Sequence, residues 1–384
     1  MRNLYISILI SLISLIFISC SDTTKKENVI FIDAKKVEQI NLNEIFTKVK
    51  IIPLQSGDSS LISEIRNVTY WKDEFYILDT NQKSILVFNT LGRFSRKLHK
   101  VGKGPGEYLE IADFAINPYN NNIELVDGRS LYSYDKNGNF ENKERIINDE
   151  FRSANEFEII NDNIIFFLQH PNSNISVFYS RKDKKIIKTL KIYNDWVKKA
   201  LPFTADDRLY RYGGDINYLE GFSNKVYKIV ENGYVLKYEW DFGKYNFEYE
   251  NPALEDKIRS TKPIDFLKNY KLNTKDYITL FRNNIENNKF ILTDFLFKSN
   301  PGSLLYNKIN GNYFLFTGSL SNLLYYSIIA FCGDENLVIF IDPVRLKELP
   351  KDWFSVPNQK LIDEVNISDN PVLITLYFKK DLLN

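Results

Sequence analysis

Short, strongly apolar segments alternate with turn residues along most of this chain, and they recur in sets of four. Asn67–Tyr70, Phe75–Asp79, Ser84–Asn89 and Phe94–Leu98 form one set, rich in the aromatic and β-branched residues that suit a pleated surface. A second set runs through Asp113–Asn117, Ile123–Asp127, Ser130–Asp135 and Phe140–Ile146. The two align by content. Tyr76-Ile77-Leu78-Asp79 matches Glu124-Leu125-Val126-Asp127, which places Asp127 48 positions after Asp79. Phe88-Asn89-Thr90-Leu91-Gly92-Arg93-Phe94 returns 46 positions later as Tyr134-Asp135-Lys136-Asn137-Gly138-Asn139-Phe140. A period of this size filled by four strands is that of a propeller blade. Gly92 and Gly138 hold the same place in a hairpin turn, where a positive φ is expected.

Later sets are less regular. Phe157–Ile160, Ile164–Gln169, Ser176–Ser180 and Lys185–Leu190 suit a third blade, and Ile216–Glu220, Lys225–Val230 and Tyr234–Phe242 supply strands of a fourth. Phe290–Lys298, Leu304–Ile309 and Tyr313–Thr317 suit a fifth; Leu324–Cys332 and Leu337–Ile341 begin a sixth. Pro252 to Tyr270 reads as a helical insertion, as does Val344 to Val365 with breaks at Pro350 and Pro357. An open ring would expose strand edges. Val49–Leu54 and Val372–Phe378 are spare strands at the two ends, so the pattern predicts that they share one blade. The expected fold is all-β: a six-bladed β-propeller of four-stranded blades, closed by pairing of N- and C-terminal strands, with short helical insertions. It occupies residues 46–384 as one domain.

The first residues carry a different pattern. Arg2 precedes an apolar run from Leu4 to Ile18, broken only by serines and ending at Ser19-Cys20. The run is short for a membrane span and fits an export signal. Phe17-Ile18-Ser19-Cys20 resembles a bacterial lipobox, with Phe17 where leucine is more usual. That resemblance implies removal of residues 1–19, acylation of Cys20 and a membrane anchor through lipid; residues 20–45 then read as lipidated cysteine and tether, the polar stretch Ser21–Asn28 being flexible. Removing residues 1–19 takes away only Arg2, leaving 49 Lys+Arg against 49 Asp+Glu. This balance argues against a nucleic-acid partner. With Cys20 acylated, Cys332 has no intramolecular disulfide partner and reads as a small buried hydrophobe.

Taken together, Ile52-Pro53-Leu54, the Ile77–Phe88 stretch, Gly102-Lys103-Gly104-Pro105-Gly106-Glu107-Tyr108, Phe222–Ile229, Asp241-Phe242-Gly243-Lys244-Tyr245 and Asp369-Asn370-Pro371-Val372 give the chain a familiar outline. It resembles the six-bladed β-propeller lipoproteins widespread in Bacteroidetes, whose blades are similar to NHL repeats. The resemblance spans about residues 45 to 380. It implies the fold and a lipid-anchored place at the outer membrane of the cell envelope, periplasmic or surface-exposed, but no particular activity.

Candidate chemistry is sparse. Gly102–Tyr108 lacks the Gly-Lys-Ser/Thr ending of a phosphate cradle and reads as an interblade turn, leaving Lys103, Glu107 and Tyr108 as surface candidates on the face where propellers usually bind. Asp79 and Asp127 sit at equivalent positions and are expected to cap their own turns. The only histidines are His99 and His170, which argues against a zinc site; no metal or cofactor is expected. His170 opens a loop on the candidate face. Arg208, Tyr210, Arg211 and Tyr212 alternate as an inner strand would, and the arginines serve either a ligand or an interblade ion pair. Arg129, Glu220 and Lys225 complete the candidate contacts. Two readings stay open: a propeller scaffold binding an envelope protein, peptide or glycan, or a polysaccharide hydrolase or lyase acting at the channel through convergent carboxylates.

Overall fold

The computed structural model describes residues 28–169, 175–191, 209–219, 223–231, 233–247 and 276–383. The chain enters through β1 (Val29–Phe31), β2 (Glu38–Gln39), helix α1 (Leu42–Ile45) and β3 (Phe46–Pro53). Blade 1 is β4–β7 (Asn67–Trp71, Glu74–Asp79, Ser84–Asn89, Phe94–Leu98), and blade 2 is β8–β11 (Asp113–Ile116, Ile123–Val126, Ser130–Tyr134, Phe140–Arg145). Blade 3 follows as β12–β15 (Glu156–Ile159, Ile164–Gln169, Ile175–Ser180, Lys185–Lys191), and blade 4 as β16–β19 (Leu209–Tyr212, Asp215–Leu219, Lys225–Val230, Gly233–Asp241). Blade 5 is β20–β23 (Ile278–Glu286, Phe290–Phe297, Asn300–Asn307, Tyr313–Thr317). After α2 (Ser319–Tyr325), β24 (Ile328–Phe331) and β25 (Asn336–Ile341) open blade 6; α3 (Pro343–Glu348) and α4 (Val356–Glu364) intervene before β26 (Val372–Phe378). The outermost strand of blade 6 is β3, paired antiparallel with β26 from Pro53↔Val372 to Phe46↔Phe378. The ring is a six-bladed β-propeller closed by its two ends.

Strands between two blades must be apolar on both faces, which is why so many read as unbroken hydrophobic runs. In β5, Phe75 and Ile77 pack toward blade 6, while Tyr76 and Leu78 pack toward blade 2. In β13, Ile165 and Phe167 face blade 2, and Phe166 and Leu168 face blade 4. Each neighbouring pair of blades thus encloses its own core. Trp240, Phe242 and Phe295 fill the one between blades 4 and 5, and Phe290, Leu337 and Phe378 the one between blades 5 and 6. Aromatic side chains bridge these gaps well because each buries a large area from one short stem. The inner strands β4, β8, β12, β16, β20 and β24 each touch the next, completing the wall of the channel.

Turns repeat with the blades. Asn89 Oδ1 accepts from the Leu91 and Arg93 amides, and Asp135 Oδ1 from Asn137 and Asn139, each beside a glycine with positive φ (Gly92, 76°; Gly138, 84°). A Cβ on Gly92 would also lie 2.5 Å from the Pro53 carbonyl oxygen, so this turn abuts the closing strand.

Four expectations change. The segment read as tether is folded from Val29: β1 pairs parallel with β19, and β2 pairs parallel with β23, adding a fifth strand to blades 4 and 5. Asp33 clips this strap to the ring, its amide donating to the Tyr313 hydroxyl at 2.9 Å. Second, β20 supplies an inner strand that the apolar pattern did not mark out, while β16 is the inner strand that the Arg/Tyr alternation suggested. Third, Leu324 and Tyr325 belong to a helix, because Leu320, Leu323 and Leu324 fall on one helical face that the core buries. Fourth, Pro357 lies in the first turn of α4, where its missing N–H costs nothing, so it starts a helix instead of breaking one. Pro252–Tyr270, residues 1–19 and Cys20 lie outside the described residues.

Leu376 is fully buried at the closure, in β26. Leu376→Ala is expected to lower the urea unfolding free energy by about 2–5 kcal/mol, whereas Phe31→Ala on the exposed strap should shift it by no more than about 0.5 kcal/mol. Equal effects would place closure elsewhere.

Candidate functional site

The upper face of the ring carries the turns between second and third strands together with the interblade linkers. Asp79 and Asp127 both end second strands here and both cap turns. Asp79 accepts from the Ser63 and Gln82 amides, and Asp127 from the Arg129 and Ser130 amides and the Tyr132 hydroxyl.

The Gly102–Tyr108 linker is folded on itself. Glu107 accepts from the Gly104 amide at 2.7 Å, and a Cβ on Gly102 would collide with the Glu107 carboxylate. Tyr108 is 1% exposed, wedged between blades 1 and 2; its hydroxyl donates to the Lys83 carbonyl and accepts from the Lys100 amide. Burial pushes its phenol up to about 12. Tyr108 is therefore a packing residue and not a surface contact, because a ring on this linker fills the interblade gap better than it meets solvent. Glu107 is spent on its own loop. Lys103 is exposed at the loop tip, and Arg129 is exposed at the turn between β9 and β10. Lys225 is half-buried, its amide bonded to Ser223 Oγ. His170, Arg208 and Glu220 lie outside the described residues.

Arg211 pins blade 4 to blade 3: its guanidinium donates to Glu158 and to the Ile159 carbonyl, each at 2.7 Å. Other inner-strand acids act likewise. Asp113 accepts from Asn67 Nδ2 in blade 1 and from the Phe157 amide in blade 3; Glu156 accepts from the Leu209 amide in blade 4. Glu286 takes Lys237 and Lys308 at 2.5 and 2.8 Å. These carboxylates are stitches between blades.

Blade 5 departs from regular geometry. In β20, Leu280 and Asn283 have φ of 52° and 48°, and the register against β21 shifts on both sides of Arg282. The second bulge turns Asn283 inward, where its amide donates to the Leu324 carbonyl at 2.9 Å and to Asp294 at 3.0 Å. Asp294 is fully buried and also accepts from Ser303 Oγ at 2.5 Å. Burial raises its carboxyl to about 7, opposed by those two hydrogen bonds and by Arg282, whose guanidinium lies 4.8 Å from the Tyr325 ring centroid.

Among the described residues, two concavities of the upper face stand out. One, of 230 Å³, lies between blades 6 and 1 and is lined by Ile62, Glu64, Tyr326 and Arg345 among others. The larger, of 660 Å³, opens at the rim between blades 4 and 5. Strap residues Lys35 and Gln39 form one wall; Tyr245, Lys298, Asn300 and Asn322 contribute to the others. Sequence reasoning passed over these residues because the strap read as tether. The one available signal was the polar Lys298-Ser299-Asn300 turn between two apolar strands.

The family model described as "Domain of unknown function (DUF4934)" matches residues 27–377. The chain belongs to this family. No curated protein matches this DUF4934 chain. Among solved structures, it is similar to a protein from Bacteroides fragilis NCTC 9343 named as a candidate exported protein. The two share 18% identity, with 92% of this chain and 100% of that one covered at a TM-score of 0.73. A member of the DUF4221 family from Bacteroides vulgatus ATCC 8482 shares 11% identity, with 90% and 98% covered and a TM-score of 0.50. At these identities, the likeness of the DUF4934 chain to both is one of fold.

The Asp294 carboxyl makes stability depend on pH. Its ordinary value is 3.8, so between about pH 4 and 7 the folded protein holds a proton that the unfolded chain has released. This group's contribution therefore falls as pH rises through that window and is fully lost above about 7. Asp294→Asn keeps the hydrogen-bonding shape without the charge. It should gain on the wild type with rising pH, by on the order of 2–4 kcal/mol at pH 8, and the difference should be flat below pH 4. A pH-independent difference in urea titrations would mean that Asp294 is not held protonated.

Proposed function

We propose that this DUF4934 propeller is an exported, lipid-anchored binding module of the cell envelope, and that its upper face is the recognition surface. Export fits the leader-like first residues and the name of the Bacteroides fragilis neighbour. The anchor rests on Phe17-Ile18-Ser19-Cys20. The observation that carries the binding reading is a division of labour among polar groups. Inner-strand carboxylates Asp113, Glu156, Glu158 and Glu286 are occupied in interblade bonds, whereas the rim cleft is lined by Lys35, Lys298, Gln39 and Asn322, whose side chains bond no described residue. A hydrolase would need a facing pair of carboxylates free to act. A binding face needs a concave, mixed polar and aromatic lining of a few hundred Å³.

Two measurements test this reading. Cys20→Ala should move the protein from the membrane to the soluble fraction; retention at the membrane would overturn the anchor. In-cell crosslinking of the lipidated full chain, followed by affinity capture and mass spectrometry, should recover a reproducible near-stoichiometric envelope component. Its crosslinks should map to upper-face lysines such as Lys103 and Lys298. A protein recovered alone, or crosslinks confined to lower-face turns such as Lys72–Asp73, would overturn the face assignment.

A further inference from the structure

The rim cleft has a chemistry of its own. Its lining, which includes Lys35, Gln39, Tyr245, Phe297, Lys298 and Asn322, holds no carboxylate among the described residues. Among the described residues Lys35 and Lys298 make no ion pair; Lys298 approaches the Phe297 ring, 5.2 Å from its centroid. Lys244, beside the lining residue Tyr245, stands 5.2 Å from its ring centroid and has no ion pair among the described residues. Three ammonium groups thus border one concavity in a chain whose formal charge is +1 overall. Other exposed lysines, Lys103 among them, also lack an ion-pair partner among the described residues; what sets Lys35 and Lys298 apart is that they share one concavity. Unmatched positive charge inside a concave surface concentrates anions there.

The remaining lining narrows the class. The side-chain amides of Gln39 and Asn322 have no hydrogen-bond partner among the described residues, and Asn300 donates to the Lys298 carbonyl two positions earlier. Paired donors and acceptors of this kind match vicinal hydroxyls, since each amide offers both. Tyr245 and Phe297 stand edge to face at 5.5 Å and give the floor an aromatic corner against which the apolar side of a sugar ring can lie. At 660 Å³ the cleft is larger than an isolated small anion requires.

We propose that this cleft binds an acidic oligosaccharide, with Lys35 and Lys298 on its carboxylate or sulfate groups and Gln39 and Asn322 on its hydroxyls. This rests on the binding-module reading and gives it a ligand class. It also has a structural corollary. Lys35 and Gln39 belong to the N-terminal strap, and Lys298, Asn300 and Asn322 to blade 5 and its linker, so the ligand spans both and holds the strap down.

The test uses the full mature chain and calorimetric titration. Probes are an oligogalacturonate, a heparin-derived oligosaccharide, a neutral cello-oligosaccharide, an oligoglutamate peptide and inorganic phosphate. One or both acidic saccharides should bind, weaken as sodium chloride is raised from 50 to 500 mM, and raise the thermal midpoint with increasing concentration. Lys35→Glu/Lys298→Glu should lose at least tenfold in affinity with an unchanged near-ultraviolet spectrum. Lys103→Glu, on the same face but remote, should bind as the wild type does. Equal binding of the neutral saccharide would overturn the anionic assignment. Phosphate or oligoglutamate binding as well as the saccharides would overturn the saccharide. No binding by any probe, or full affinity in the double variant, would overturn the site. Capture of an envelope partner without saccharide binding would remove this ligand class and leave the binding-module reading standing.

Discussion

A ring of β-sheets has to bond its last sheet to its first, and in this protein the bond is the antiparallel pairing of β3 with β26. Residues more than 300 positions apart in sequence, such as Ile51 and Ile374, must meet before the cores on either side of blade 6 can close. Loop-closure entropy grows slowly with length but must be met before the distant contacts return anything. Burial at the seam is correspondingly dense. Val372, Ile374 and Leu376 are buried on one face of β26 with Ile51 of β3, and Leu373 turns to blade 1. Asn370 seals the upper end of the seam, donating to the Gln55 and Ser60 carbonyls and accepting from the Ile62 amide.

Once closed, the ring fixes what its polar residues are free to do. Inner-strand acids sit where neighbouring blades leave amides and guanidinium groups exposed to one another, and satisfying those groups uses the acids up. That is why Arg211 and Glu158 form a pin between blades and not a ligand site. Exposed side chains on the upper rim such as Lys103 and Lys298 escape this demand, with no ion-pair partner among the described residues. Blade 5 is the exception within the wall. Its inner strand holds two residues in left-handed conformation beside a fully buried carboxyl, Asp294 of β21, and helix α2 packs over the distortion. Strain of this kind persists only where surrounding contacts over-determine it.

Blades 1 to 3 were legible because their turns contain Asx and glycine at fixed offsets and their strands are apolar on both faces. The closure was legible because two β-prone segments were left over at the ends. What escaped has physical reasons. β20 carries Thr279, Arg282, Asn283 and Asn284, and its bulges break any period of two. β1 and β2 are three and two residues long in a polar stretch, and only their partners make them strands. α2 is apolar enough to read as β because its exposed face is narrow. The candidate site suffered most. Tyr108 stood out in the sequence for the same reason that it is buried, an aromatic residue after a glycine-rich turn. The cleft-lining lysines looked ordinary because what distinguishes them is that the strap brings Lys35 beside Lys298 around one concavity, which only three dimensions reveal.

The strap also has a mechanical meaning. It runs across the rim as three fasteners in series: three residue pairs on blade 4, two on blade 5, then seven on blade 6. Tension entering the chain ahead of Val29 reaches β1 first, β2 next and the closing strand last. The two short fasteners are the ones that can peel while the ring stays whole, and peeling them carries Lys35 and Gln39 away from blade 5. A pull at the N-terminus would therefore dismantle the rim cleft well before it unseated a blade, so the cleft is a load-sensitive part on a load-bearing wheel.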